Sequence, residues 1–493
     1  MISELLRKAR DFEENGIRQI HDTERPAFHL TGVCGWINDP NGLSYYKGEY
    51  HLFSQYHPYS NLWGPMHWGH AKSKDMLSWT RLPVAMAPDQ DYDNFGCFSG
   101  SGLELADGRH MLIYTGVQTI PDAPEGKDSR QTQCLAFGDG VNYEKYENNP
   151  VIQPETLPEG CSTVDFRDPK VWQEEDGTFY TVVAGMKQDG NGLIALYKSA
   201  DALTWELCGI LAESSRKLGG MWECPDFFRL DGKHVLMVSP MAMLPDGKDF
   251  HVGHTTLAMI GNYDKEACQF TKETMQPIDW GIDFYAPQSI LTPDGRRVMI
   301  GWMQAWPNSK FVPDGVKYFG QLTMPREIHV CDGKLIQAPI RELLNYRGEK
   351  VLHENVTVGE QDVTLEGVEG RLLDMTVTVK DIRELETLRI LVAADEEYHT
   401  SVSFVPKKGN LNMDRSFSGY VYDIVHSRDI PVELKNGELK LRFILDRYSL
   451  EVFINDGEKV GTVVLFTPLE AKKIIFRAEG TTQIDVEKYE LKF

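Results

Sequence analysis

The sequence predicts an all-β protein: a five-bladed β-propeller followed by a C-terminal β-sandwich, with a short N-terminal helix. Three observations predict it. A unit made of a short polar or acidic motif, an apolar strand, a Gly turn and a second apolar strand recurs five times between residues 33 and 340. The second half of the unit repeats as well. After residue 340 the pattern changes to alternating strands joined by hairpin turns, as in an antiparallel sandwich. Four strands per unit at a regular spacing is the pattern of a propeller blade, and the period of about sixty residues calls for longer loops than the common propeller repeats carry. A run of ordinary hairpins is the competing reading. It gives no reason for one motif to return at the first strand of every unit.

Residues 1–32 are a lead-in that opens with an amphipathic helix ending near Gly16. The first unit starts at Asn38-Asp39-Pro40-Asn41-Gly42, turns at Lys47-Gly48 and runs on to Tyr56. Pro40 fixes its own φ and pushes Asp39 out of the α region, so a carboxylate is held in a rigid setting. Phe98-Ser99-Gly100-Ser101, Phe166-Arg167-Asp168-Pro169, Trp222-Glu223-Cys224-Pro225 and Phe284-Tyr285-Ala286-Pro287 open the other four, each followed by an Asp-Gly turn. The stretch Gly69–Trp79 is echoed by Ala195–Trp205, in which Trp79 and Trp205 are assigned to packing. Residues 341–349 form a helical linker, and 350–493 form the sandwich, which lacks any such motif.

At 493 residues and 41% hydrophobic composition the chain has ample core for two domains. A formal net charge of −22 argues against nucleic acid and against anionic membrane surfaces as partners. No apolar run reaches the length of a membrane span, and no signal-peptide core opens the chain. The eight cysteines are scattered without a Cys-x-x-Cys pair or zinc spacing. A cytoplasmic protein with reduced thiols, no cofactor and no metal is expected; a processed secreted form with its signal removed is the other reading.

In a propeller the first strand of each blade lines the central channel, so the motifs converge at one end of it. That brings together Asp39, Asp168 and Glu223. Carboxylates crowded in a funnel repel one another, and one is expected to keep its proton near neutral pH. A protonated acid beside an ionised carboxylate is equipment for glycoside hydrolysis. Glu223, with its longer reach and its neighbours Trp222 and Cys224-Pro225, is the candidate acid. Asp39 is expected to stay ionised. Asp168, beside Arg167, is expected to be charged and to hold hydroxyls. Flat aromatic faces and amide or hydroxyl groups suited to a sugar come from Trp36, Gln55, Trp63, Trp68, Ser99, Ser101, Tyr285, Trp302 and Trp306. The motifs lack the dense oxygen ligands of a calcium loop.

The ordered set Trp36-Ile37-Asn38-Asp39-Pro40-Asn41-Gly42, Phe98-Ser99-Gly100-Ser101, Arg167-Asp168-Pro169 and Glu223-Cys224-Pro225 resembles glycoside hydrolase family 32, that of invertases, sucrose-6-phosphate hydrolases and fructan hydrolases. The resemblance extends through Gly301–Trp306 and Asp446-Arg447…Glu451-Val452-Phe453. It implies a retaining β-fructofuranosidase in which Asp39 is the nucleophile and Glu223 the general acid and base. Asp168 then stabilises the transition state. It further implies that Asn38, Gln55, Trp63, Phe98, Ser99, Arg167 and Trp306 surround the fructose ring of a small carbohydrate such as sucrose, sucrose 6-phosphate or a fructo-oligosaccharide. An inverting propeller glycosidase for arabinose or xylose glycans and a non-catalytic sugar-binding propeller are the other readings. The motif set disfavours the first, and the presence of all three acids disfavours the second.

Overall fold

The computed structural model describes residues 2–123, 128–311 and 315–493; Met1, which opens the stretch read as a helix, lies outside them. Helix α1 spans Glu4–Gly16 and is capped by Ser3, whose hydroxyl accepts from the Leu6 amide at 3.1 Å. Its buried residues Leu6, Ala9 and Glu13 recur at helical spacing, and Arg10 and Glu13 each bond the backbone of Val84. Everything larger is β-structure. Among the described residues no helix is long and apolar enough to cross a membrane.

Between Gly35 and Pro339 the strands form five antiparallel sheets in chain order. Their first strands are Gly35–Tyr46, Gly96–Glu104, Cys161–Gln173, Trp222–Leu230 and Tyr285–Leu291. Each first strand lies beside that of the next sheet, and the fifth returns to the first. The first sheet also takes a late strand, Tyr318–Phe319, in parallel against Gly35–Trp36. The repeat seen in the sequence is exact down to its turns. Asp75 and Asp201 each accept from two following backbone amides, and Met76 and Ala202 each sit at φ near +60°.

One irregularity is common to all five first strands. Each carries one more residue than its partner strand at the motif, a β-bulge. In the third, fourth and fifth sheets the two residues 168–169, 224–225 and 286–287 face one residue of the neighbouring strand. In the first, Asn38 and Asp39 lie opposite Gln55; in the second, Ser99 is the extra residue. Asp168, Cys224 and Ala286, each just before a proline, take φ of +67°, +49° and +50°. Non-glycine residues in that region cost about 1 kcal/mol or more, so backbone strain is concentrated at the bulges.

Beyond the 3₁₀ turn Arg341–Tyr346 the chain forms a six-stranded and a five-stranded antiparallel sheet. Their buried faces share one core that includes Leu388, Ile390, Leu441, Phe443 and Phe476. A buried ionic chain joins this part to the preceding sheets. His29 bonds Asp446 at 2.8 Å and Glu451 at 3.0 Å. Arg326 links Glu451 to Asp279, and Thr462 closes the chain on Asp279 at 2.6 Å. Burial lowers the His29 pKa, but its two carboxylate partners outweigh it and push it up to about 9.

A raised folded-state pKa contributes stability that is complete below the unfolded value of about 6.5 and is lost as pH rises through about 9. His29→Gln, which leaves two buried carboxylates short of a partner, is therefore expected to cost about 3 kcal/mol at pH 7. The gap from wild type narrows by pH 10. Urea unfolding at both pH values measures this, and a gap that stays constant to pH 10 would show that His29 is not charged.

Candidate functional site

The bulges bring the motif side chains together in two layers. The residues two before the prolines of the third, fourth and fifth sheets form one: Arg167, Glu223 and Tyr285. Arg167 donates to Glu223 Oε1 from Nη2 at 3.0 Å and from Nε at 3.2 Å, and the Tyr285 hydroxyl donates to Glu223 Oε2 at 2.7 Å. The residues just before the prolines form the other: Asp39, Asp168 and Cys224. The Cys224 amide donates to Asp168 Oδ2 at 2.9 Å, and its thiol lies 3.4 Å from Asp39 Oδ2 and 3.7 Å from Asp168 Oδ2. The three acids do converge, as their motifs predict, but they are not equivalent in position. Asp39 and Asp168 share one position relative to proline, whereas Glu223 sits one residue earlier, level with Arg167 and Tyr285. On a pleated strand that single step turns the side chain to a different side.

Asp39 is held by three donors. Ser99 Oγ approaches Oδ2 at 2.7 Å, Asn38 Nδ2 approaches Oδ1 at 3.0 Å, and the third is the Cys224 thiol. Asn38 is oriented in turn by Trp36, whose Nε1 donates to Asn38 Oδ1 at 2.8 Å. Burial raises the Asp39 pKa and the Glu223 charge adds to this, against the pull of the Ser99 and Asn38 donors. The aspartate expected to be held fully ionised is thus in a balance of opposing effects.

Asp168 differs more sharply from expectation. Burial pushes it up to about 7 despite the Arg167 charge, and the Glu223 and Asp39 charges push the same way. Arg167 does not bond Asp168. It turns to Glu223, to Asp165 at 3.3 Å and to Gln131 at 3.3 Å. Burial disfavours its charge, but Glu223, Asp168 and Asp165 together raise its pKa. The surroundings expected for Glu223 also differ. Trp222 packs in the core between the third and fourth sheets, while the Glu223 carboxyl meets a guanidinium and a phenol rather than apolar groups.

The remaining predicted residues divide. Gln55 is buried and donates to the Cys97 carbonyl at 2.9 Å, opposite the Asp39 bulge. Trp63 is 41% exposed and meets Phe98 edge-to-face at 6.2 Å. Trp306 is half-buried and stacks on Trp36 at 6.1 Å. Trp68 and Trp302 are fully buried. Ser101 is buried too, donating to the Pro169 carbonyl and accepting from the Val171 amide, both at 2.8 Å. These three are core. Sequence reasoning gave no role to Cys224, although its own motif contains it. It also missed Thr115, which accepts from the Asp168 amide at 2.9 Å. Met241 and His254 went unnoticed as well: the Met241 sulfur lies 3.6 Å from Arg167 Nη2, and the His254 ring is 5.8 Å from that of Tyr285. No motif marks the last three. Among the described residues no group of three or more His, Cys, Asp or Glu is arranged to hold a metal ion.

Two closely held aspartates beside a glutamate that is hydrogen-bonded by Arg167 and Tyr285 are the residue types that glycoside hydrolysis uses. Comparison with known proteins agrees with that chemistry. Residues 29–339 match the Glycosyl hydrolases family 32 N-terminal domain, and residues 342–492 match the Glycosyl hydrolases family 32 C terminal. The chain is 38% identical to a raffinose invertase of Escherichia coli, covering 93% of both chains. It is 35% identical to a sucrose-6-phosphate hydrolase of Escherichia coli, covering 94% of both. It resembles a solved Bombyx mori GH32 β-fructofuranosidase, a mutant in complex with sucrose, with a TM-score of 0.86 and 31% identity over 100% of this chain and 99% of the other.

The raised Asp168 pKa has a direct test. In the ligand-free protein its carboxyl is expected to take up a proton with a midpoint near pH 7. In a Glu13→Gln background, which removes the other buried carboxyl raised to about 7, infrared difference spectra between pH 8.5 and 5.5 should show a carboxylic-acid band that disappears on adding Asp168→Asn. Persistence of that band would assign the proton elsewhere.

Proposed function

The chain belongs to glycosyl hydrolase family 32, and from that premise we propose that this glycoside hydrolase is a retaining β-fructofuranosidase acting on sucrose, sucrose 6-phosphate or short fructo-oligosaccharides. The observation that carries the reading is the two-layer site. Asp39, gripped by Ser99, Asn38 and Cys224, is the proposed nucleophile on the fructosyl C2. Three fixed donors aim its carboxylate and restrict its rotamer. Glu223 is the proposed general acid, protonating the leaving oxygen, and then the base that activates water for hydrolysis of the fructosyl-enzyme. Tyr285 and Arg167 orient it. Asp168 is proposed to bind fructose hydroxyls as the ring flattens, ionised when it does so. Its elevated pKa then means that kcat/KM falls as pH drops through about 7. Asn38, Gln55, Trp63, Phe98, Ser99, Arg167 and Trp306 are the proposed sugar contacts, with Trp36 acting behind Asn38.

We read the five sheets as the blades of a propeller over residues 33–340, the turn region 341–349 as a linker, and residues 350–493 as a β-sandwich. Support comes from the closed cycle of first strands and the parallel clasp of Tyr318–Phe319 on Gly35–Trp36. The cysteines, all free, suit the reducing cytoplasm. The sandwich carries none of the three acids, and its proposed role is support. It holds the segment 241–256, which carries Met241 and His254 to the site. Lys248 Nζ donates to Asn410 Oδ1 at 2.7 Å and lies 3.6 Å from Asp429, while Trp280 and Lys459 hold Asp249.

Hydrolysis of sucrose, sucrose 6-phosphate, kestose and inulin, compared by kcat/KM, tests the substrate class. No activity on any of the four would end the reading. Methanol added to a sucrose reaction should yield methyl β-fructoside, and the inverted anomer as first product would overturn retention. Asp39→Asn is expected to lower kcat more than a thousandfold, roughly the loss of a nucleophile, with the fold intact. Turnover within tenfold of wild type would refute its role. Asp168→Asn should lose turnover, about a hundredfold, with KM little changed, since its contacts strengthen in the transition state. Lys248→Ala should do the reverse, raising KM about threefold while leaving kcat within twofold, by loosening a wall rather than a reacting group. A large fall in kcat there would place Lys248 closer to the chemistry.

A further inference from the structure

Two partly exposed thiols meet far from the site. Cys208 lies on Glu206–Glu213, the outermost strand of the third sheet, and Cys268 immediately precedes Gln269–Pro277, the outermost strand of the fourth. The two edge strands touch. Both cysteines are free, and both pack against the core shared by these sheets, which contains Phe227 and Phe270.

Local irregularities aim each of them. Cys208 is an extra residue in its strand, because Leu207 pairs with Tyr197 while Gly209 pairs with the adjacent Leu196. Cys268 closes the turn after Asp264 at φ +51°, in a left-handed conformation that favours Gly or Asn. Gly209, the residue after Cys208, lies directly against Cys268: a Cβ placed on it would be 3.7 Å from the Cys268 Cβ. The Cys208 thiol itself is in side-chain contact with that of Cys268. By contrast Cys34, Cys97, Cys134 and Cys224 are buried, Cys161 is half-buried at the start of the first strand of the third sheet, and Cys331 is exposed on another sheet.

We propose that Cys208 and Cys268 are a modification site: under a low-molecular-weight disulfide such as oxidised glutathione they form a disulfide that clasps the outer edges of the third and fourth sheets. The Cys268 thiolate attacks the small disulfide, forming a mixed disulfide and releasing one small thiolate. Cys208 then loses its proton to solvent and attacks the Cys268 sulfur, releasing the second small thiolate. The two cysteines are oxidised and the small disulfide is reduced to two thiols. This order suits the surroundings. Burial, followed by the neighbouring Cys268, pushes the Cys208 thiol up to about 12, while Cys268 sits at the turn, its thiol 3.6 Å from the Lys265 carbonyl. The sheets so joined carry Arg167 and Asp168 on one side and Glu223 on the other, but the clasp is at their fourth strands and the site is at their first.

The test oxidises Cys161→Ser/Cys331→Ser protein, which lacks the other two accessible thiols, with oxidised glutathione. The expected product has lost two hydrogen atoms, carries no glutathione and gives a Cys208–Cys268 cross-linked peptide on a non-reducing map. Its Tm should rise by about 5 °C and return on reduction, since the link closes a long loop. Sucrose turnover should stay within twofold. Adding Cys208→Ser should stop the reaction at a stable glutathione adduct on Cys268, and adding Cys268→Ser should leave Cys208 unmodified. A persistent adduct on Cys268 with Cys208 intact, a different cysteine pairing, or a cross-linked protein without a higher Tm would overturn the proposal.

Discussion

The site depends on one constraint, the extra residue carried by the first strand of every sheet. A regular strand sends alternate side chains to opposite faces and would bury half of each motif in the sheet packing. The bulge breaks that alternation where the strands come together. In four sheets a proline follows, fixing its own φ and denying the ladder one donor, and in three of them the residue before it takes a left-handed conformation. Asp168 and Cys224 are held in this way, and Asp39 occupies the bulge of the first sheet. The strain is tolerable because long, regular second and third strands pair on either side of it. Stability is thus supplied by the parts of each sheet that carry no functional group.

The same arrangement sets the electrostatics. Three carboxyls and one guanidinium lie close together in the fold, where burial disfavours the charge of Asp39, Asp168 and Arg167. Arg167 bonds to only one of the three acids, Glu223, and two acids remain to be held by backbone amides, hydroxyls and a thiol. The consequence is visible in Asp39 and Asp168, both pushed upward by burial and by the charge of Glu223. A site in this state gains from a ligand that brings hydroxyl donors to carboxylates short of them. Many neutral hydroxyl groups on a compact ring meet that need, which ties the electrostatics of the site to the proposed sugar substrate.

The two halves of the chain are locked by buried charge rather than by apolar contact alone. His29, Arg326, Asp279, Asp446 and Glu451 are all inaccessible, as are Arg415 and Asp283, which pair at 2.6 Å. Such pairs add little net stability, yet breaking one leaves an uncompensated charge. We take their role here to be alignment, a hypothesis that the His29→Gln measurement bears on. Alignment matters because segment 241–256 is pinned to the C-terminal sheets at Lys248 and Asp249 and delivers Met241 and His254 to the site.

Much of this was legible in the sequence. The fivefold motif, the Asp-Gly turns and the switch to alternating strands after residue 340 follow from local chain geometry, which acts over a few residues and leaves its mark in composition. The identities of Asp39, Asp168 and Glu223 were legible for the same reason, since each sits in a motif with its own turn or proline. Even the offset of Glu223 from the two aspartates was written in its distance from Pro225. What only the tertiary structure decided is which charge meets which. Arg167 adjoins Asp168 in the chain but bonds Glu223 from the next sheet, and Cys224 reaches two aspartates from two other sheets. Ser101, alike in type to a sugar-binding residue, is seen only in the structure to spend its hydroxyl on the backbone of the neighbouring sheet. Charges, burial and hydrogen-bond partners are set by groups far apart in the chain, and a sequence read locally has no term for them.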